Sequence, residues 1–527
     1  MASHTWTYDE AIEKLNSFQT NASVLQQQRK HGIDLTKAIP LTRDFLQRIN
    51  CTQDDLRRLQ VIHIAGSKGK GSVAAFCESL LRARGFKTGL FTSPHLIEAR
   101  ERIRINGAPI SQQQFAQHMQ DTCALYDATQ PDDGVSKYPT YFKATFLLAL
   151  KVFLAEKVDV AVVEVGLGGL YDATNVIDHP VVCGITHIGY EHTSVLGDTL
   201  TKIAHQKCGV LKPGVPSFVT PQTPETLAEF KRSAELRKVN HMRVYVPNTH
   251  THTRTHTHTH THTHTPPGLS GTHQRINAAL AVQLCRTWEA YTRDHQYPVP
   301  QTATDPTQDV LPEVSLQPLT PLESQALQSC AWPGRAQVLQ DGDITYYLDG
   351  AHTVDSCKPA GLPIFVMFHD RPAGLPIFVM FHDRAMAEWL ESVLDRKSPS
   401  LRVLIFNCTG DREPEQLLRQ VLEKHAFDVG IFCPNVASLK STRADQVNHN
   451  ASSTACQRMQ RRARDTFARV CTNDATTHLF PSIEDAITHV RELKAENEAS
   501  GKRVDVIVTG SLHLVGGVLG VLGAPVA

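Results

Sequence analysis

At 527 residues the chain is too long for one ordinary hydrophobic core, so two domains with inserted loops are expected. Its 53 basic residues balance 53 acidic ones, which leaves no global field to draw in nucleic acid or an anionic membrane; an anionic ligand has to be held by a local site. Twelve cysteines without a C-x-x-C pair argue against a zinc or disulfide framework, and no window reaches the roughly 18 to 20 apolar residues of a membrane span.

The N-terminal stretch "MASHTWTYDEAIEKLNSFQTNASVL" carries Asp9, Glu10 and Glu13, whereas a transit peptide is poor in acids. Tyr8, Ala11, Ile12 and Leu15 fall on one face of an amphipathic helix. A cytoplasmic protein is the expectation, with a mitochondrial pool left open. From residue 60 to 220 the β-rich runs "VIHIA", "KTGLFTS", "VDVAVVEVG" and "PVVCGIT" alternate with helix-like stretches such as "GSVAAFCESLLRARG" and "YFKATFLLALKVFLAEK". That alternation is the signature of βαβ units around a parallel sheet. A second set follows Trp332: "DITYYLDG", "LRVLIFNCTG", "FDVGIFCPN" and "VDVIVTGSLH", separated by "EPEQLLRQVLEKH" and "SIEDAITHVRELKAENEA". The expected division is a domain over 1–296, a polar, Pro-rich linker over 297–325 and a smaller α/β domain over 326–527.

Two segments obey neither pattern. The tract "THTHTRTHTHTHTHTHT" within 249–267 has the histidines of a metal-binding run, but its strict Thr-His repetition reads better as a disordered surface insertion. The segment "PAGLPIFVMFHDR" occurs at 359–371 and again, letter for letter, at 372–384. Proline at the start of each copy prevents a helix from running through it. Without both copies, "DGAHTVDSCK" joins "AMAEWLESVL" as one amphipathic helix.

Between the first strand and the first long helix stands Gly66-Ser67-Lys68-Gly69-Lys70-Gly71-Ser72. Ile64 and Gly71 break the spacing G-x-x-x-x-G-K-[ST], yet the physics of a phosphate loop survives. Glycines let backbone N–H groups converge on oxygens, lysine neutralises charge, and the helix N-terminus adds its positive end.

The neighbouring motifs "HIAGSKGKGS", "TSPHLIEARERIRING", "VVEVGLGGLYDATN", "HTSVLGDTLTKIAHQKCGVLKPGVP", "GTHQRINAALA", "WPGRAQVL" and "YYLDGAHTVDS" stand in one order. Together they resemble folylpolyglutamate synthases of the eukaryotic type, in the Mur ligase family of ATP-dependent amide-forming enzymes. The resemblance implies a P-loop ATPase-like N-terminal domain with a parallel sheet and a smaller Rossmann-like C-terminal α/β domain. It implies ATP and Mg2+ as cofactors, with a monovalent cation left open, and a reduced folate and L-glutamate as substrates. A monomer without nucleic-acid partners is expected.

By the same resemblance Gly66, Ser67, Lys68, Gly69, Lys70, Gly71 and Ser72 hold the polyphosphate, Gln274 and Asn277 face the adenine end, and Arg335 and Asp349 close on ATP from the second domain. Ser93, Glu164 and His192 would bind the metal, joined by Lys207 if it is carbamylated by carbon dioxide. Lys70, His192, Lys207 and His352 are the implied catalytic residues, and Tyr138 and Tyr141 would line the substrate pocket. Glu191 stands where the family usually has Asp. Two other readings stay open: a dihydrofolate synthase acting on dihydropteroate, and a nucleotide- or folate-binding homologue made inactive by the 359–384 insertion.

Overall fold

A computed structural model of the chain describes residues 4–19, 35–129, 136–239, 242–246, 268–269, 271–294, 311, 313–315, 317–350, 364–365, 378–379, 385–394, 399–408, 413–438, 453–498 and 501–525. The Thr-His tract, His352 and nearly all of the tandem insertion lie outside the described residues. The chain forms two compact units. The first takes Met1–Thr20, Gln28–Ser93 and Arg102–Trp332; the second takes Pro94–Glu101 and Pro333–Ala527.

The first unit is built on a nine-stranded sheet. Its strands are β1 (Ile62–Ala65), β2 (Thr88–Phe91), β3 (Ile103–Ile105), β4 (Ala108–Pro109), β5 (Val160–Glu164), β6 (Val182–Ile185), β7 (Ser217–Val219), β8 (Met242–Val246) and β9 (Glu313–Ser315). The order is β4-β3-β2-β5-β1-β6-β7-β8-β9, parallel from β2 to β9. Only the β2–β3–β4 edge is antiparallel. β1, β2, β5 and β6 are buried at every position, which is why they read as near-continuous apolar runs. β9, inside the stretch whose composition reads as linker, and the helix Pro321–Ser329, which runs across the expected boundary at 325, both belong to this unit.

The helix Lys70–Ala83 runs from the end of β1 and is covered by the helix Thr272–Asp294. Small residues permit the close approach: the Cys77 thiol reaches the Ala281 carbonyl at 3.8 Å, and the Cys285 thiol the Cys77 carbonyl at 3.6 Å. Charge holds the far end. Glu323, 1% exposed, accepts from Arg84 at 2.6 Å and from Arg286 at 2.6 Å, tying the helix Pro321–Ser329 to both longer helices.

The second unit carries β10 (Gln337–Asp341), β11 (Ile344–Leu348), β14 (Ser400–Phe406), β15 (Val429–Phe432), β16 (Thr476–Leu479) and β17 (Arg503–Thr509) in the order β10-β11-β17-β14-β15-β16. All neighbours are parallel except the β10–β11 hairpin. One face buries Tyr346, Val506 and Val508 against Ile483, Ile487 and Val515; the other buries Leu404 and Phe432 against Leu390, Leu418 and Phe467. Ile97 packs in the first of these cores, and the Leu96 backbone passes so close to Gly516 that a Cβ there would stand 2.0 Å from the Leu96 carbonyl oxygen. Within the tandem insertion, β12 (Ile364–Phe365) and β13 (Phe378–Val379) form an antiparallel pair. After it, Ala385–Val393 is helical, as the amphipathic reading of "AMAEWLESVL" requires.

Candidate active site

The Gly66–Ser72 loop joins β1 to the helix Lys70–Ala83 at the C-terminal edge of the parallel strands, where open α/β sheets bind their ligands. Two glycines are required by the backbone. Gly69 caps the helix at φ 89°, and a Cβ on it would meet Asn277 Oδ1 at 2.5 Å; Gly66, at φ 141°, lies against Thr186 with no room for any side chain. The loop is pinned from β6 outward: Ser67 and Lys68 N–H donate to the His187 carbonyl at 2.9 and 3.1 Å, and Ser67 Oγ donates to the Gly189 carbonyl at 3.0 Å. On its other side, Gln274 Nε2 donates to Ser72 Oγ at 3.3 Å and Asn277 Nδ2 to Gln274 Oε1 at 3.0 Å, all three residues being buried. The resemblance-derived residues of the helix Thr272–Asp294 are therefore brought to the loop. Trp332 joins them, its indole nitrogen 3.4 Å from where a Gly71 Cβ would stand, with the Arg104 guanidinium 4.9 Å from its ring centre.

Two lysines converge under the loop. Lys70 Nζ donates to the Gly66 carbonyl at 2.9 Å, and Lys207 Nζ to the same oxygen at 2.7 Å. Lys207 is 1% exposed, so its ammonium needs a counter-charge, and Glu191 Oε1 supplies one at 2.6 Å. Burial, with some help from Lys70, pushes the Lys207 amine down to about 8 despite Glu191. Burial alone would raise the Glu191 carboxyl, but Lys70 and Lys207 outweigh it and hold that group below its ordinary value. The extra methylene of Glu191 relative to Asp is thus taken up in a direct ion pair.

Glu164 ends β5, 4% exposed, and its Oε2 accepts from Ser93 N–H at 3.0 Å. Its carboxylate oxygens lie 3.7 and 3.8 Å from the Gly71 Cβ position, so Glu164 and Ser93 stand beside the helix N-terminus. His192 adopts φ 46° and caps the short helix Thr193–Leu196 through its carbonyl. Among the described residues no three His, Cys, Asp or Glu side chains gather as a metal cage. The two groups shown beside the helix N-terminus, the Glu164 carboxylate and Ser93, offer hard oxygen donors.

Asp172, in the quoted run "GLGGLYDATN", is a buried carboxylate that pattern reading did not single out. It accepts from Leu167 N–H at 2.9 Å, Thr174 N–H at 3.0 Å and Thr174 Oγ1 at 2.6 Å; burial raises its carboxyl in spite of them. Burial also depresses the nearby Lys143 amine to about 8, with Asp172 acting against it. Tyr138 donates its hydroxyl to Asp127 and stacks on Phe18 at 4.9 Å, with Lys14 Nζ 4.0 Å from its ring centre. Tyr141 opens the helix Tyr141–Glu156 with Arg102 5.2 Å from its ring centre. These contacts tie Tyr138 to the N-terminal helix Tyr8–Asn16 rather than to the glycine loop.

In the second unit, Asp349 Oδ2 accepts from Ala336 N–H at 2.9 Å, and Gly350 N–H donates to the Gly334 carbonyl at 3.1 Å. Arg335 Nη1 lies 3.2 Å from the Cβ position of Gly350, so Arg335 and Asp349 are neighbours after β11. Beside them in the sheet, at the ends of β14, β15 and β17, Asn407 Nδ2 donates to Asn435 Oδ1 at 2.9 Å and Asn435 Nδ2 to Ser511 Oγ at 3.2 Å. No sequence pattern announces this polar chain, because its members are joined only by strand order.

No protein-family model matches the chain. Among curated proteins it is 40% identical over 454 residues to the mitochondrial folylpolyglutamate synthase of Bos taurus, covering 84% of this chain and 70% of that protein. It is 35% identical over 551 residues to the folylpolyglutamate synthase of Neurospora crassa, covering 99% and 92%. In fold it matches the Mycobacterium tuberculosis folylpolyglutamate synthase, solved in complex with ADP and AMPPCP, at a TM-score of 0.65 and 22% identity over 95% of this chain and 98% of that one. With identity of this extent over most of both chains, the chain belongs to the folylpolyglutamate synthase family.

Proposed function

We propose that the chain joins L-glutamate to the glutamyl tail of a tetrahydrofolate. The γ-phosphoryl group of ATP passes to the tail carboxylate; the amine of glutamate attacks the acyl phosphate, loses a proton, and leaves amide, ADP and phosphate. The observation that carries this reading is the loop of 66–72, with two lysines beneath it and the buried Glu164 beside it. Backbone N–H groups at the start of a 14-residue helix, with Lys70, are suited to clamp a polyphosphate whose charge spreads during transfer.

Magnesium, held by Glu164 with Ser93 and His192, would supply charge neutralisation on the phosphate oxygens. Gln274, Asn277, Arg335 and Asp349 are assigned to the nucleotide, for which a guanidinium fork can take two oxygens at once. Lys207 fits the carbamylated ligand that the resemblance implies: an amine depressed to about 8 is partly neutral, as addition to carbon dioxide requires. The assignments of His352, Tyr138 and Tyr141 rest on the resemblance. Cytoplasmic residence and a monomeric state are also proposed, and fractionation and sedimentation would decide them.

The test is glutamate-dependent phosphate release from ATP with tetrahydrofolate, and in parallel with dihydropteroate. Release with the folate alone supports the reading. Release with dihydropteroate alone makes the chain a dihydrofolate synthase, and ATP binding without release under either condition makes it a non-catalytic binder.

A further inference from the structure

In the second unit, the helices Pro414–Lys424 and Ser453–Val470 enclose a solvent-open cleft of about 420 Å³ with an almost wholly charged lining. Arg458, Arg461, Arg462 and Arg469 line one wall along one face of the longer helix, with Asp465 interrupting the row between Arg462 and Arg469. Glu413 and Glu415, at the start of the shorter helix, stand opposite. Arg462 pairs with Glu413 at 2.5 Å and Arg469 with Glu415 at 2.6 Å. Arg458 and Arg461 engage no acceptor among the described residues.

The arginine wall is held in place. Buried Gln460 donates to the Phe432 carbonyl at 2.7 Å and to the Phe480 carbonyl at 2.8 Å, fixing the helix across the ends of β15 and β16. Ala463 and Phe467 pack into the core on the same side. The guanidinium groups are therefore presented from a fixed element, which lowers the ordering cost of binding.

We propose that this cleft binds an oligo-γ-glutamyl chain through its α-carboxylates; the identity of that chain rests on the activity proposed above. Guanidinium forks pair with carboxylates two oxygens at a time. Arg458 and Arg461/Arg462 stand one turn apart on the helix, whose pitch is about 5.4 Å. A γ-linked glutamyl unit places five bonds between successive carboxylate-bearing carbons, about 6 Å when extended. Two successive carboxylates of such a chain thus match the one turn from Arg458 to Arg461, before Asp465 ends the row, a spacing that the closer charges of a polyphosphate do not share.

The test uses the full-length chain and its Arg458→Gln/Arg461→Gln variant, both checked for fold by circular dichroism. Calorimetry at low salt measures binding of free tri-γ-glutamate and of tripolyphosphate, while glutamate incorporation into a monoglutamyl folate is followed separately. The expected result is triglutamate binding weakened about tenfold in the variant, with incorporation unchanged. An Arg458→Lys/Arg461→Lys variant, which keeps charge but not the forks, should fall between. Equal triglutamate affinity in variant and parent, no binding by the parent, or an arginine-dependent preference for tripolyphosphate would each overturn the assignment. Arginine-dependent triglutamate binding by a chain that incorporates no glutamate would keep the cleft and remove the activity reading.

Discussion

Lys207 is the residue on which the proposed chemistry is most directly tested. Its amine is enclosed, held between the Gly66 carbonyl and Glu191, and lowered to about 8. Replacing it by Met, of similar length, should leave the fold intact by circular dichroism and lower glutamate-dependent phosphate release by about 10²-fold or more. In the parent, 13C-labelled bicarbonate should give a carbamate resonance that the variant lacks. His63 sets a different dependence. Burial, then Lys212, pushes its imidazole from 6.5 down to about 3, and its Nε2 lies 2.9 Å from Thr174 Oγ1. The folded ring stays neutral while the unfolded chain takes up a proton below 6.5. The stability it contributes is therefore whole above pH 6.5 and is lost as pH falls towards 3. Urea titrations should show His63→Asn losing less stability than the parent between pH 7 and pH 5, by about 2 kcal/mol.

At the scale of elements, the loop and its helix make the sharpest demand. Gly69→Ala puts a Cβ at φ 89° and against Asn277, and should cost about 1 to 2 kcal/mol of stability and weaken ATP binding, measured by calorimetry, about tenfold. Where the three helices meet, Glu323→Ala leaves Arg84 and Arg286 without their shared carboxylate and should lower urea stability by about 3 kcal/mol. Buried strands and the glycine loop were legible in the sequence because a fully covered parallel strand is a continuous apolar run and a strand–glycine–helix junction has its own composition. The β3–β4 hairpin left a signal that the reading passed over, the pair Asn106-Gly107, which turns with both residues at positive φ. Asp172 and the Asn407–Asn435–Ser511 chain left none of comparable strength, since their partners are fixed by packing and strand order rather than by spacing. Gln274, Asn277 and Arg335 were identified through resemblance alone, each being an unremarkable polar residue in its own segment.

For the whole molecule, the tandem insertion is the decisive variable. It separates β11, which leads to Asp349, from the helix Ala385–Val393 that covers the second unit's sheet. A version lacking 359–384 should retain or raise glutamate-dependent phosphate release relative to the full chain. A fall below the parent would mean that the insertion has become part of the working structure.

The second unit also takes Leu96 and Ile97 from a segment that precedes most of the first unit. During synthesis those residues leave the ribosome early, while the strands and helix they pack on emerge only near the end. They must wait through translation of everything between, exposed to chaperones and to premature partners. The second unit is thus the last to fold, and a fragment starting at Pro333 should be aggregation-prone when made alone. Supplying 94–101 in trans, or grafting that octapeptide ahead of Pro333, would be the way to make it soluble.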